Sequence, residues 1–188
     1  METEQIPISV EQVLKAQEVD MAILEGLDLQ IGLSSEGYFL EVPVNVEVTP
    51  AMLEAVAYSL QQREKAQQIQ LCLRQINRVI QELLARGFVS AALGSPHRYD
   101  LNTEDQINLQ ALISAGIDAE FRCKEPEADF KTYKKHTKAQ LKKVFADGLA
   151  YKARVLNFYG KQKEALHACG SLQAVQEFKI KELEDSNA

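Results

Sequence analysis

The sequence predicts an α+β fold, mainly helical. Two short β-hairpins pack on long helices in a C-terminal module, and a helix plus β-hairpin unit precedes it. Three observations predict it. Ser/Thr-x-x-Glu/Gln capping signals stand at Ser9, Thr103 and Thr137, each before a run with helical apolar spacing. Period-two alternation marks residues 38–48, and paired short runs at 88–92 with 97–101 and at 119–124 with 130–135 flank turn residues. Long apolar stripes run through residues 50–86 and 138–168.

In chain order, residues 1–7 read as a polar, loosely held leader. Ser9 then opens a helix of about four to five turns carrying Val10, Val13, Leu14, Met21, Ile23 and Leu24 and ending near Gly26. Residues 29–33 and 38–48 form a hairpin around Ser34-Ser35-Glu36-Gly37. Tyr38, Leu40, Val42, Val44, Val46 and Val48 share one strand face. Pro43 has no N–H for a ladder, so it puts this strand at an edge or marks a bulge. Two strands alone are marginal in water, and the apolar face is expected to be covered by the protein's own helix or by another chain.

Thr49-Pro50 is a hydroxyl N-cap followed by proline at the first helical position. The helical pattern it starts reaches Arg86, either as one helix or broken in two. Its middle, residues 61–68 (QQREKAQQ), has no large apolar side chain but consists of good helix formers. The domain boundary is placed there: residues 1–60 form the N-terminal docking unit, 61–68 a polar helical linker, and 69–188 the C-terminal module. The stripe from Ile69 to Leu84 lasts about two heptads, short of a coiled coil, and reads as core packing.

Arg86 and Gly87 suit a helix C-terminus, because glycine tolerates a left-handed backbone and a cation faces the negative end of the dipole. Gly94-Ser95-Pro96 is turn chemistry inside the first hairpin. A helix with Leu109, Leu112 and Ile113 stops at Gly116, and the second hairpin turns through residues 125–129. The helix after Thr137 carries Leu141, Val144, Leu149, Val155 and Tyr159, and runs to about Ala168. Gly148 and Gly160 inside it each cost about 1 kcal/mol relative to alanine, which a close approach of another backbone offsets. Ser171 caps a last short helix with Leu172, Val175 and Phe178.

A chain of 188 residues can bury a core without staples. Its net charge of −6 argues against nucleic-acid binding, which needs a basic field for phosphates. The densest basic points, Lys134-Lys135 and Lys142-Lys143, read as solvated faces. No apolar run approaches a signal peptide or the ~18 residues of a membrane span. Cys72, Cys123 and Cys169 are widely spaced and odd in number, as expected of reduced thiols in a protein made in the cytoplasm.

Candidate sites come from the histidines. His97, Cys123 and His136 each lie near a strand or helix start and together offer a zinc ligand set, but spacings of 26 and 13 residues match no metal signature. Asp100, Glu104 and Asp105 follow His97 and invite an acid/base reading, although acids in a first helical turn are expected from the dipole alone. Ser95 and His97 lack an oxyanion-hole motif. The reading of the residues is therefore packing for Cys123 and local hydrogen bonding for the histidines, with no catalytic, cofactor or metal residue assigned.

The ordered string Gly87-Phe88, Ser90-Ala91, Leu93-Gly94-Ser95-Pro96-His97, Tyr99-Asp100, Asp105-Gln106, Asn108-Leu109, Gly116-Ile117-Asp118, Phe121-Arg122-Cys123, Tyr133-Lys134, His136-Thr137, Gln140-Leu141-Lys142, Val144, Asp147-Gly148 and Tyr151-Lys152 resembles a domain family of unknown function encoded among the tail and tail-fibre genes of tailed bacteriophages. The resemblance covers about residues 74–176. It implies a non-enzymatic structural or adaptor protein of the virion tail, at the baseplate or tail-fibre attachment. Such a protein would be made in the host cytoplasm and would dock on other tail proteins or on a second copy of itself, with no cofactor, nucleic acid or membrane. Two other expectations stand beside it: a tail-fibre assembly chaperone absent from the finished particle, and a small metal-dependent hydrolase.

Overall fold

The computed structural model describes residues 3–18, 21–25, 27, 29–35 and 37–184. The class is the expected one, α+β, with small antiparallel sheets set beside long helices. The chain divides by its contacts into two units. One holds Met1–Leu71 with Leu166–Lys179, the other Cys72–Ala165 with Ile180–Ala188. The boundary expected in residues 61–68 thus falls a few residues later, and residues 166–179 group with the N-terminal part.

In the first unit the leader is a strand. Residues Thr3–Ile8 (β1) pair antiparallel with Gly37–Pro43 (β3), whose other side pairs with Gln30–Ser34 (β2), giving the order β1-β3-β2. The strand predicted through Val48 stops at Pro43, where a turn closes with Val46 N–H donating to the Pro43 carbonyl at 2.9 Å. Pro43 therefore ends the middle strand and does not mark an edge; only β1 still lies beside it, since β2 pairs no further than Glu41.

The first helix, Val10–Lys15 (α1), is much shorter than predicted. Ser9 makes the full capping box with Gln12, but Ala16 leaves the helical region at ψ 133°. Only Val13 of α1 is buried, and a short helix without a packed face has little to extend it. A 3₁₀ turn at Met21–Leu24 follows, and the predicted stop at Gly26 lies outside the described residues.

Pro50–Ala85 (α2) is one continuous helix, with the Met52 N–H on the Thr49 hydroxyl at 3.3 Å. Its first turns cover the apolar sheet face. Val56, Ala57 and Leu60 join Ile8, Leu40, Val42 and Val13 in one buried cluster, so the protein's own helices provide the cover. The polar stretch 61–68 is not simply solvated. Gln61 donates to the carbonyls of Leu14 and Ala16 at 3.1 and 3.2 Å, the Tyr38 hydroxyl donates to the Glu64 carboxylate, and Lys65 donates to the Gly170 carbonyl at 2.9 Å.

Within the second unit α2 stops before Gly87, whose φ of +75° is the left-handed stop expected there. The Tyr99 carbonyl lies 2.0 Å from where a Cβ on Gly87 would stand, so only glycine fits. Phe88–Ser90 (β4) pairs with His97–Tyr99 (β5), and Ala119–Cys123 (β6) pairs with Thr132–His136 (β7). A bridge joins the two predicted hairpins: Arg98 and Lys124 exchange backbone hydrogen bonds of 2.7 and 3.1 Å.

Thr103–Ala115 (α3) lies between the hairpins in sequence. Its cap is Asn102 and not Thr103, because the Asn102 side chain takes the Asp105 N–H, and Gly116 closes the helix in the left-handed region. Lys138–His167 (α4) follows β7 with the predicted capping box between Thr137 and Gln140. Leu172–Gln176 (α5), capped by Ser171, groups with the first unit. The second core gathers Phe88, Tyr99, Leu109, Phe121, Cys123, Leu141 and Val144. Among the described residues no helix is long and apolar enough to cross a membrane.

Candidate functional site

Alternation along β5 decides the geometry of the candidate residues. His97 and Tyr99 point inward and are buried, while Arg98 and Asp100 are only partly covered. Tyr99 is fully buried, its ring between Phe88 and Phe121 at centroid distances of 5.7 and 6.3 Å. Its hydroxyl lies 2.9 Å from Nε2 of His136. His136 Nδ1–H donates to the Lys134 carbonyl at 2.7 Å, an oxygen that can only accept. Nε2 is then unprotonated and takes the Tyr99 O–H. The Cys123 thiol, fully buried, packs in the same cluster as Tyr99 and acts on its hydroxyl electrostatically. Three neutral groups thus meet in one seam: thiol, phenol and imidazole.

Burial enforces that neutrality. It pushes the Tyr99 hydroxyl well above its ordinary range, with Cys123 adding to the rise. The Cys123 thiol is raised by burial against the opposing pull of Tyr99 and Lys134. His136 is lowered, first by burial, with its bond to the Lys134 carbonyl working the other way. Thiolate is the nucleophilic form of cysteine, and this seam holds Cys123 as a fully buried thiol.

His97 is built separately. Its Nδ1–H donates to the Ser95 backbone carbonyl at 2.9 Å, and its Nε2 accepts from the Lys134 ammonium at 2.9 Å. Lys134 also reaches the Glu125 carboxylate at 2.8 Å, which holds that carboxyl below its usual range. Ser95 thus offers its carbonyl and not its hydroxyl to the ring, so it is not arranged as a nucleophile beside a base. Both nitrogens of both histidines are engaged, which leaves none for a metal. Among the described residues no group of three or more His, Cys, Asp or Glu side chains could hold an ion.

The acids expected near His97 go elsewhere. Asp100 pairs with Arg122 at 3.2 Å and with Lys131, and Asp105 lies 3.6 Å from the same Arg122. Glu104 is exposed on α3. The acid/base reading therefore loses its geometry.

Several pairings were not visible in the sequence. Buried Ser90 donates to Asp147 at 2.6 Å, the Phe88 ring fills the space above Gly148, and Lys152 donates to Gln106 at 3.3 Å. Inward alternation in His97-x-Tyr99 was the one available signal for Tyr99 as the hub. Taken together, the residues of the central string satisfy one another: Ser90 with Asp147, His97 with Lys134, Tyr99 with His136 and Cys123, Asp100 with Arg122, Phe88 with Gly148.

The open groove beside this seam, about 480 Å³, is lined by Asp118, Glu120, Lys135, His136, Thr137 and Gln140. Asp118 there accepts the Lys138 N–H at 2.8 Å, and Thr137 and Gln140 form the α4 capping box. Asp118, Thr137 and Gln140 are thus occupied in starting that helix. Set against protein-family models, curated proteins and solved structures, the chain finds no match.

Proposed function

We propose that this chain is a non-enzymatic structural or adaptor component of a phage tail, at the baseplate or tail-fibre attachment, and that it works by docking on other tail proteins. The observation that carries the reading is the ordered string of residues 87–152, which resembles the tail-gene family. Those residues bond to one another and build caps, turns and core. A string of this kind specifies a scaffold, and a scaffold serves a protein whose work is contact. The burial that keeps Cys123 a thiol and the full use of both histidines' nitrogens favour contact over bond-breaking.

Mass spectrometry of purified virions of the encoding phage tests this. Peptides of the chain are expected in the particle at a level matching other minor tail proteins. Their absence from virions, with the chain present in infected-cell lysate, would replace the adaptor reading with that of an assembly chaperone.

A further inference from the structure

We infer that β2 is a self-pairing edge, through which two copies of this chain join antiparallel about a two-fold axis centred on Gly32. The sheet order β1-β3-β2 leaves two edges, and they differ. β1 carries Glu4 and Pro7, a charge and a residue without an N–H, both of which blunt an edge against pairing. β2 reads Gln30-Ile31-Gly32-Leu33-Ser34, with neither charge nor proline.

One face of that edge is aliphatic, and the other carries an aromatic ring at its middle. Ile31 stands opposite Leu40 and Leu33 opposite Tyr38, on the same face as the buried core, yet they are 39% and 71% exposed. On the other face the Phe39 ring lies across Gly32, its Cζ 2.0 Å from where a Cβ would be. The ring covers the glycine and extends the apolar surface at the middle of the strand.

The occupant follows from complementarity. In an antiparallel pair centred on Gly32, Ile31 of one copy faces Leu33 of the other, Gln30 faces Ser34, and glycine faces glycine with a Phe39 ring on each side. Aliphatic meets aliphatic at both pairs beside the axis. The chain carries a net charge of −6, so two copies repel unless they meet where no charge is present, and β2 is such a place. The contact is isologous and closes after two copies. The inference does not rest on the tail reading.

Sedimentation of the full-length protein between about 5 and 500 µM spans the range in which an interface below about 1,200 Å² dissociates. The wild-type chain is expected to pass from monomer to dimer. The Ile31→Lys/Leu33→Lys variant, which sets lysine against lysine, should remain a monomer throughout. The Ile31→Lys/Leu33→Glu variant sets lysine against glutamate across the axis and should dimerise again. Both share the Ile31 change, and matching far-UV circular dichroism checks that they fold alike. A monomeric wild type, a dimer that survives the double lysine change, or a lysine–glutamate variant as monomeric as the double lysine one would each overturn the inference.

Discussion

The Tyr99 hydroxyl donates its hydrogen bond to Nε2 of His136. That arrangement requires a neutral His136, whose pKa burial holds below its ordinary 6.5. The sign of the consequence follows from linkage. As pH falls below about 6.5, the unfolded chain takes up a proton at this position before the folded chain does. The stabilisation from neutral His136 is fully present above that pH and is lost as pH falls toward the folded value. The slope is at most about 1.4 kcal/mol per pH unit for this one group. Urea unfolding at a series of pH values between about 8 and 5 should show stability falling on the acid side. The Glu125 carboxyl, held below its usual range by Lys134, adds its own acid loss at lower pH. The measure that isolates the imidazole is therefore the difference from His136→Gln. That variant should be less stable at neutral pH by about 1–3 kcal/mol and should lack the loss that sets in near pH 6.5. Equal pH profiles for the two proteins would show that His136 is not held neutral by the fold.

Helix α4 carries two glycines with opposite surroundings. A Cβ on Gly148 would stand 2.8 Å from the Phe88 ring, while nothing lies within 4 Å of one on Gly160. Phe88 is buried and stacked on Tyr99, so its ring has little room to move. Gly160→Ala should therefore stabilise the protein by up to about 1 kcal/mol, the helix-propensity gain. Gly148→Ala should destabilise it by about 1–3 kcal/mol through overpacking. Chemical denaturation of both variants checks the pair, and the same sign in both would refute the packing account. The sequence suggested close approach at both positions and could not say that only Gly148 has it, because the neighbour comes from β4, about sixty residues earlier in the chain. The same division holds elsewhere. The Ser9 and Thr137 caps and the left-handed Gly87 and Gly116 are local devices, and all four were legible. β1 was not, because its partner lies thirty or more residues away and the isoleucines on either side of Pro7 give only a weak alternation. The alternation of Val44, Val46 and Val48 misled in the opposite direction: it continues past Pro43, where the chain turns. In the candidate site, the local bonding of His97 within its hairpin was legible, but the partners Lys134 and Tyr99 of the two histidines were chosen by the folded sheet.

At the scale of the whole molecule the chain does not divide at one point. It changes units between residues 71 and 72, again between 165 and 166, and again between 179 and 180. The stretch of residues 166–179, including α5, belongs by contacts with residues 1–71. Leu172 and Val175 of α5 are buried, and the Gly170 carbonyl just before it accepts from Lys65. A five-residue helix cannot hold itself together in water, where about 12–15 residues are marginal. A fragment of residues 69–188 removes Lys65 and the elements grouped with α5, and so should leave α5 without protection. Native-state hydrogen exchange on that fragment is expected to show rapid exchange of residues 172–176, while the amides of β4 to β7 and of α4 keep their protection. In the full chain the α5 amides should exchange with the slower set. Retained protection of residues 172–176 in the fragment would mean that α5 is held by the second unit instead, and that the expected division at residues 61–68 describes the protein better than the contacts do.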